Sequence, residues 1–197
     1  MSVDPDTRLN LSKASVLLVE GSQHSADVLA QILKGFGVNE VHRALSTDAA
    51  EKLLRGKTID LLVIDPTVSD GDGYRMLKDL RRGGSSNAFA PVILISGHVR
   101  ASDVIRARDT GANFFVTKPI TPSTLLARIL FVARDKRPFV EIGEFVGPDR
   151  RFKFEGPPTG SDGRRSADLK SPLGAADEPN MSQNEIDMMI KPQRVMI

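Results

Sequence analysis

Apolar residues in this chain gather in short, nearly unbroken runs, separated by stretches in which they recur every three or four positions. The runs lie within Ala14–Glu20, Ile59–Asp65, Pro91–Ile95 and Phe114–Thr117, and their length and composition predict strands buried on both faces, as in a parallel sheet. A further short strand is predicted over Val38–Leu45. Helical spacing appears in Val28, Leu29, Ile32, Leu33 and Phe36; in Ala49, Ala50, Leu53 and Leu54; in Tyr74, Leu77 and Leu80; in Val104, Ile105 and Arg108; and in Leu125, Leu126, Ile129 and Leu130. Punctuation agrees with that division. Ser46-Thr47-Asp48 offers N-cap chemistry, with Glu51 placed for a capping box on Asp48. Asp72 is read as a cap of the third helix, and Thr121 caps the fifth, with Pro122 in its first turn. Gly35, Gly37, Gly56 and Gly83-Gly84 close helices. Five strands alternating with five helices predict an α/β fold: a five-stranded parallel sheet, doubly wound, with right-handed crossovers.

The pattern dissolves after Pro138. The organisation expected is an N-terminal extension over 1–13, one domain over 14–137, a linker over 138–180 that is mostly disordered, and a short amphipathic helix over 181–192. Gly156–Gly163 and Ser171–Asn180 are poor in large apolar residues. Ser182 with Glu185 three residues on forms a capping box, and Ile186, Met189 and Ile190 then share one face before Pro192.

Composition narrows the function classes. The chain has 197 residues and a net charge of +2, too little to imply nucleic-acid binding, and no helix-turn-helix pattern follows Arg134. The basic-aromatic stretch 147–154 is read as docking on the domain rather than on nucleic acid. Cysteine is absent, which excludes disulfides and thiolate metal sites and suits a reducing compartment. No run reaches the roughly 20 apolar residues of a membrane helix, and 1–10 lacks an export core. A cytoplasmic location is expected.

Candidate chemistry sits at the carboxyl ends of the predicted strands, where open α/β sheets place their sites. Asp65 follows the third strand, Ser96 the fourth and Lys118 the fifth, while Glu20 ends the first. A carboxylate is a weak nucleophile, so chemistry at Asp65 needs an oriented partner and neutralised charge. Lys118 is a compact cation able to meet that carboxylate, and Ser96 can donate a hydrogen bond beside it. His24, His42 and His98 share no ligand spacing.

The ordered set Glu20, Asp65, Asp72-Gly73, Ser96 and Lys118-Pro119 resembles the receiver domain of bacterial two-component response regulators over about Ser15 to Arg134. The resemblance implies a flavodoxin-like strand order 2-1-3-4-5 and Asp65 as phosphoacceptor from a histidine kinase or phosphotransfer protein. The chain would then be no enzyme beyond catalysing its own phosphotransfer and dephosphorylation. It also implies Mg²⁺ on Glu20, Asp65 and the backbone carbonyl of Thr67, with Ser96 and Phe115 as switch residues and a cis Lys118-Pro119 bond. Phe115 also reads as plain core. The pattern departs from the family at Gly21, where most receivers carry a second acid, so Mg²⁺ binding is expected to be weak. Ser69 stands where proline is usual.

Ser182-Gln183-Asn184-Glu185-Ile186-Asp187 is similar to the peptide by which the flagellar motor switch protein grips the chemotaxis receiver. Such a segment is expected to bind this receiver's own face or a neighbour's, and tethering would let a weak contact count. The function expected is a phosphorylation-controlled switch of protein interactions with a downstream protein partner. A phosphorylation-independent pseudo-receiver adaptor is the alternative, motivated by Gly21. An aspartyl-phosphate phosphohydrolase would want a second Asp where Thr67 stands, and a flavodoxin-like electron carrier would want a hydroxyl-rich loop after the first strand.

Overall fold

A computed structural model of the chain describes residues 11–68, 70–135, 137–150 and 182–190, the side chains of 187–190 excepted. Five parallel strands, β1 (Ser15–Val19), β2 (Glu40–Ala44), β3 (Leu61–Ile64), β4 (Val92–Ser96) and β5 (Phe114–Thr117), form one sheet in the order β2-β1-β3-β4-β5. The helices between them are α1 (Gln23–Gly35), α2 (Thr47–Gly56), α3 (Gly73–Arg82), α4 (Ala101–Asp109) and α5 (Pro122–Ala133). This is the flavodoxin-like doubly wound architecture. Alternating strand residues feed two separate cores. Leu17, Leu62, Ile64, Leu94 and Phe115 pack with α2, α3 and α4, whereas Val16, Val63, Ile93, Phe114 and Val116 pack with α1 and α5. Burial on both faces is why β1, β3, β4 and β5 read as continuous apolar runs. β2 is an edge strand with polar Glu40, His42 and Arg43, and β5 is the opposite edge.

Local chemistry sets the boundaries. Of the three cap residues offered, Ser46 caps α2, its hydroxyl accepting from the Ala49 amide; the Glu51 capping box on Asp48 is thereby corrected, since Asp48 lies inside the helix. Asp72 caps α3 by accepting from the Tyr74 and Arg75 amides. β3 begins at Leu61 rather than Ile59, whose amide donates to the buried Asn87 side chain. The Lys118–Pro119 bond is cis. Among the described residues, no helix is long and apolar enough to cross a membrane.

The expected linker gives way over its first part. Phe139–Ile142 (β6) and Phe145–Pro148 (β7) form an antiparallel hairpin in which Ile142 pairs with Phe145, so ordered structure extends past 137. Gly143, at φ +60°, opens the two-residue connection, the placement a tight hairpin turn favours. A lone two-stranded hairpin is marginal in water, and this one is held from below. A side chain on either Gly111 or Gly147 would collide with the other segment's backbone. The Arg150 guanidinium lies 3.9 Å from the Phe145 ring centroid and also bonds Asp109 and the Arg108 carbonyl. Residues 151–180, the rest of the expected linker, and 1–10 lie outside the described residues.

Arg81 joins the hairpin to the sheet. It is 3 % exposed, yet it donates to the carbonyls of Ala88, Ala90 and Gly111 and to the Asn113 side chain, with Phe139 stacked on its guanidinium at 4.9 Å. Burial pulls its pKa down to about 9, so it stays charged at neutral pH. Replacing Arg81 by Ala strands those carbonyls in a dry site, at about 1–3 kcal/mol for each group left unpaired. Chemical denaturation of Arg81→Ala should show a loss of about 3 kcal/mol or more; a change within about 0.5 kcal/mol, the range of neutral surface substitutions, would contradict this account.

Candidate functional site

β1, β3 and β5 deliver Glu20, Asp65 and Lys118 to one end of the sheet, each one residue beyond its strand. The strand register does this directly: Val19 lies opposite Ile64, and the Asp65 amide donates to the Val19 carbonyl at 2.8 Å. The Lys118 amide donates to the Ser96 carbonyl at 2.7 Å, which ties the fifth tip to the fourth. The Lys118 ammonium then reaches across the sheet edge and donates to both acids, at 2.7 Å to Asp65 Oδ2 and 2.5 Å to Glu20 Oε2. Both carboxylates are buried, with Glu20 4 % and Asp65 8 % exposed.

Each acid is fixed at its second oxygen as well. Asp65 Oδ1 accepts from the Thr67 amide at 2.8 Å and from the Thr67 hydroxyl at 2.6 Å, an Asx-type turn closed through Pro66. Glu20 Oε1 accepts from the Ser22 amide at 3.3 Å. Burial opposes charge on Lys118, but its hydrogen bonds to Asp65 and Glu20 outweigh that and hold its pKa above the ordinary lysine value. The ammonium is therefore the standing counter-charge of the site.

The candidate residues fall into two groups. Asp65, Lys118, Glu20 and Thr67 form one hydrogen-bonded cluster. Ser96 is buried at the tip of β4 but donates its hydroxyl to the His98 carbonyl at 3.1 Å. Phe115 is fully buried and packs in the core on the α4 side of the sheet. The Thr67 hydroxyl was not foreseen; a hydroxyl residue two positions after an acid in a turn was the available signal. Nor was the contribution of α4, whose Arg106 pairs with Asp72 and stacks on Tyr74 at 4.5 Å. An open cleft beside Asp65 is lined by Pro66, Thr67, Tyr74, Ser96, His98 and Arg106. Asp70 closes the loop's far side by accepting from the Thr47 amide and hydroxyl.

Among the described residues, no cluster of three His, Asp or Glu side chains is arranged to hold a metal ion. Mg²⁺ asks for less, since one or two carboxylates plus water and phosphate oxygens suffice. Glu20 and Asp65, drawn to one ammonium, meet that minimum. Exposed Gly21 adds nothing to it.

The chain's far end lies at the same edge. Gln183–Ile190 forms α6, which rests against α4 and β5. Ser182 and Glu185 bond reciprocally: the Ser182 amide donates to Glu185 Oε2 at 2.8 Å, and the Glu185 amide donates to the Ser182 hydroxyl at 3.4 Å. The Gln183 side chain accepts from the Thr117 amide at 2.8 Å and donates to the Phe115 carbonyl at 3.0 Å. Ile186 is fully buried in the core that holds Phe115. The side chains of Met189 and Ile190 lie outside the described residues.

Comparison with known proteins identifies the family. Residues 16–130 match the model of the response regulator receiver domain. The swarming motility regulation protein RssB of Serratia marcescens is 32 % identical over 120 residues, covering 61 % of this chain and 53 % of that protein. The phosphate regulon transcriptional regulatory protein PhoB of Escherichia coli is 29 % identical over 134 residues, covering 67 % of this chain and 58 % of that protein. The chain thus spans about half the length of the curated relatives it matches. In fold it resembles the Vibrio cholerae chemotaxis protein CheY4, at a TM-score of 0.57 and 24 % identity over 60 % of this chain and 98 % of that one. Because the family match runs over more than half of its residues, the chain belongs to the response regulator receiver domain family.

Proposed function

We propose that the chain is a two-component response regulator that accepts a phosphoryl group on Asp65 and uses the resulting change to switch protein–protein contacts. One observation carries the reading: the Lys118 ammonium bonds Asp65 and Glu20 together at the sheet's carboxyl edge. In the reaction, an Asp65 oxygen forms a bond to phosphorus. The phosphorus–nitrogen bond of a phosphohistidine breaks, and its electron pair and a proton end on the imidazole. Thr67 and Lys118 hold the two Asp65 oxygens, so the nucleophile is oriented before the donor arrives. Lys118 can follow the charge from carboxylate to phosphoryl oxygen, and Ser96 can exchange its bond to His98 for one to the phosphoryl group. Glu20 and Asp65 would hold Mg²⁺, which when bound neutralises phosphoryl oxygen charge. A histidine kinase or phosphotransfer protein is the donor class, and a downstream protein is the partner class. The readable consequence is a population shift in the surface around β4, β5 and α4.

The adaptor reading, in which Asp65 is never phosphorylated, is favoured by one feature: Gly21 leaves the site with two carboxylates rather than three. Mass spectrometry after incubation with acetyl phosphate and Mg²⁺ separates the readings. One added phosphoryl group on the parent chain and none on Asp65→Ala is expected; no Asp65-dependent addition supports the adaptor. Restoring an acid beside Glu20 should strengthen metal binding. Gly21→Asp is expected to tighten Mg²⁺ about tenfold in a titration, equivalent to roughly 1.4 kcal/mol. Unchanged affinity would mean that position 21 does not face the metal.

A further inference from the structure

We propose that residues 182–190 are a displaceable internal ligand of the surface built by α4 and β5, so that the chain's own segment sets whether that surface is open. The argument begins with the sheet. β5 is an edge strand, and an uncovered edge presents unpaired amides and carbonyls to any passing strand. Here one side chain takes the place of a neighbouring strand. The Gln183 amide accepts from Thr117 N–H and donates to Phe115 C=O, two groups two residues apart on the same side of β5. That is the pairing a backbone partner would make.

The rest of the segment supplies what a short ligand needs. Ser182 and Glu185 satisfy each other's amides and fix the helix start. One turn after Gln183, Ile186 enters the core beside Phe115 and Val104 and is fully buried. An eight-residue helix does not persist alone in water, so α6 forms by docking and melts on release. Its hold includes the Gln183 amide clamp and the buried Ile186 side chain. Because the helix forms only on docking, the contact is coupled to folding and reversible, and covalent attachment raises its occupancy. The segment thus meets the surface with a capped helix start, glutamine in its first turn and an aliphatic residue three positions on. Because Thr117 precedes Lys118, the occupant sits one residue from the lysine of the acid cluster. The inference stands on the contacts of Gln183 and Ile186 and does not require that Asp65 be phosphorylated.

Residue-resolved amide exchange on the full chain tests it. Thr117 is the reporter, since Gln183 accepts its amide. In Ile186→Asp the Thr117 amide should exchange at least about tenfold faster than in the parent, as expected when a local protecting equilibrium is lost, with β1 and β3 amides unchanged. Gln183→Ala should act in the same direction. Adding a synthetic peptide of residues 181–192 to the Ile186→Asp chain should restore Thr117 protection, and the same peptide carrying Ile186→Asp should not. Equal Thr117 exchange in parent and variants overturns the proposal, as does failure of the unaltered peptide to protect. Protection that rises with protein concentration would assign the surface to a second copy's tail and overturn the internal ligand.

Discussion

Two buried carboxylates from different strands share one ammonium at the edge of this sheet, and the rest of the architecture can be read as what makes that contact possible. Burying an acid without a partner is costly, and burying two beside each other is worse. Lys118 resolves the conflict by bonding Asp65 and Glu20 at once. It can do so only because β1, β3 and β5 end at the same level, a consequence of parallel pairing in register through β4. Two packed cores fix that register, since sliding any strand by one residue would swap its side chains between the cores and displace its polar tip. The site is thus a product of the core.

A second constraint acts at the β5 edge. On one side the strand is tied to β4, and its following residue donates to the Ser96 carbonyl. On the other it meets Gln183. Acid cluster, hydroxyl residue, core aromatic and C-terminal helix therefore converge on the four-residue stretch Phe115–Lys118. Under the proposed function, a change of charge at Asp65 would act on the backbone that the edge occupant also touches, and thermodynamic linkage would make the effect mutual. The hairpin β6–β7 lies elsewhere, fastened by Arg81 and the Gly111–Gly147 contact, and serves the body of the domain.

Much of this was legible in the sequence, for identifiable reasons. β1, β3, β4 and β5 are covered on both faces, so their apolar runs stand out, and the acids and lysine that follow them mark one edge. β2 is polar, and the strand predicted over Val38–Leu45 overran it at both ends, where no apolar run marks a boundary. Capping at Asp72 followed from local spacing, whereas Ser46, Thr47 and Asp48 offered three adjacent caps and only coordinates could choose among them. The β6–β7 hairpin was missed because its stability is not local. A buried guanidinium some 60 residues upstream holds it, and no periodicity encodes that; the Ile142-Gly143-Glu144-Phe145 turn was the one signal present. Gln183 escaped for a similar reason, since a polar side chain that substitutes for a strand leaves no hydrophobic trace. At Thr67 the hydroxyl bonds the central acid, a contact set by the turn after β3 and not by any spacing of apolar residues.

The shared ammonium is open to direct observation. A ¹⁵N correlation spectrum of the lysine side chains, recorded near neutral pH, should show Lys118 Nζ as a slowly exchanging ammonium with hydrogen-bond couplings to the carboxyl carbons of both Asp65 and Glu20. A Lys118 signal lost to rapid exchange with water, or coupled to only one of the two acids, would contradict the account.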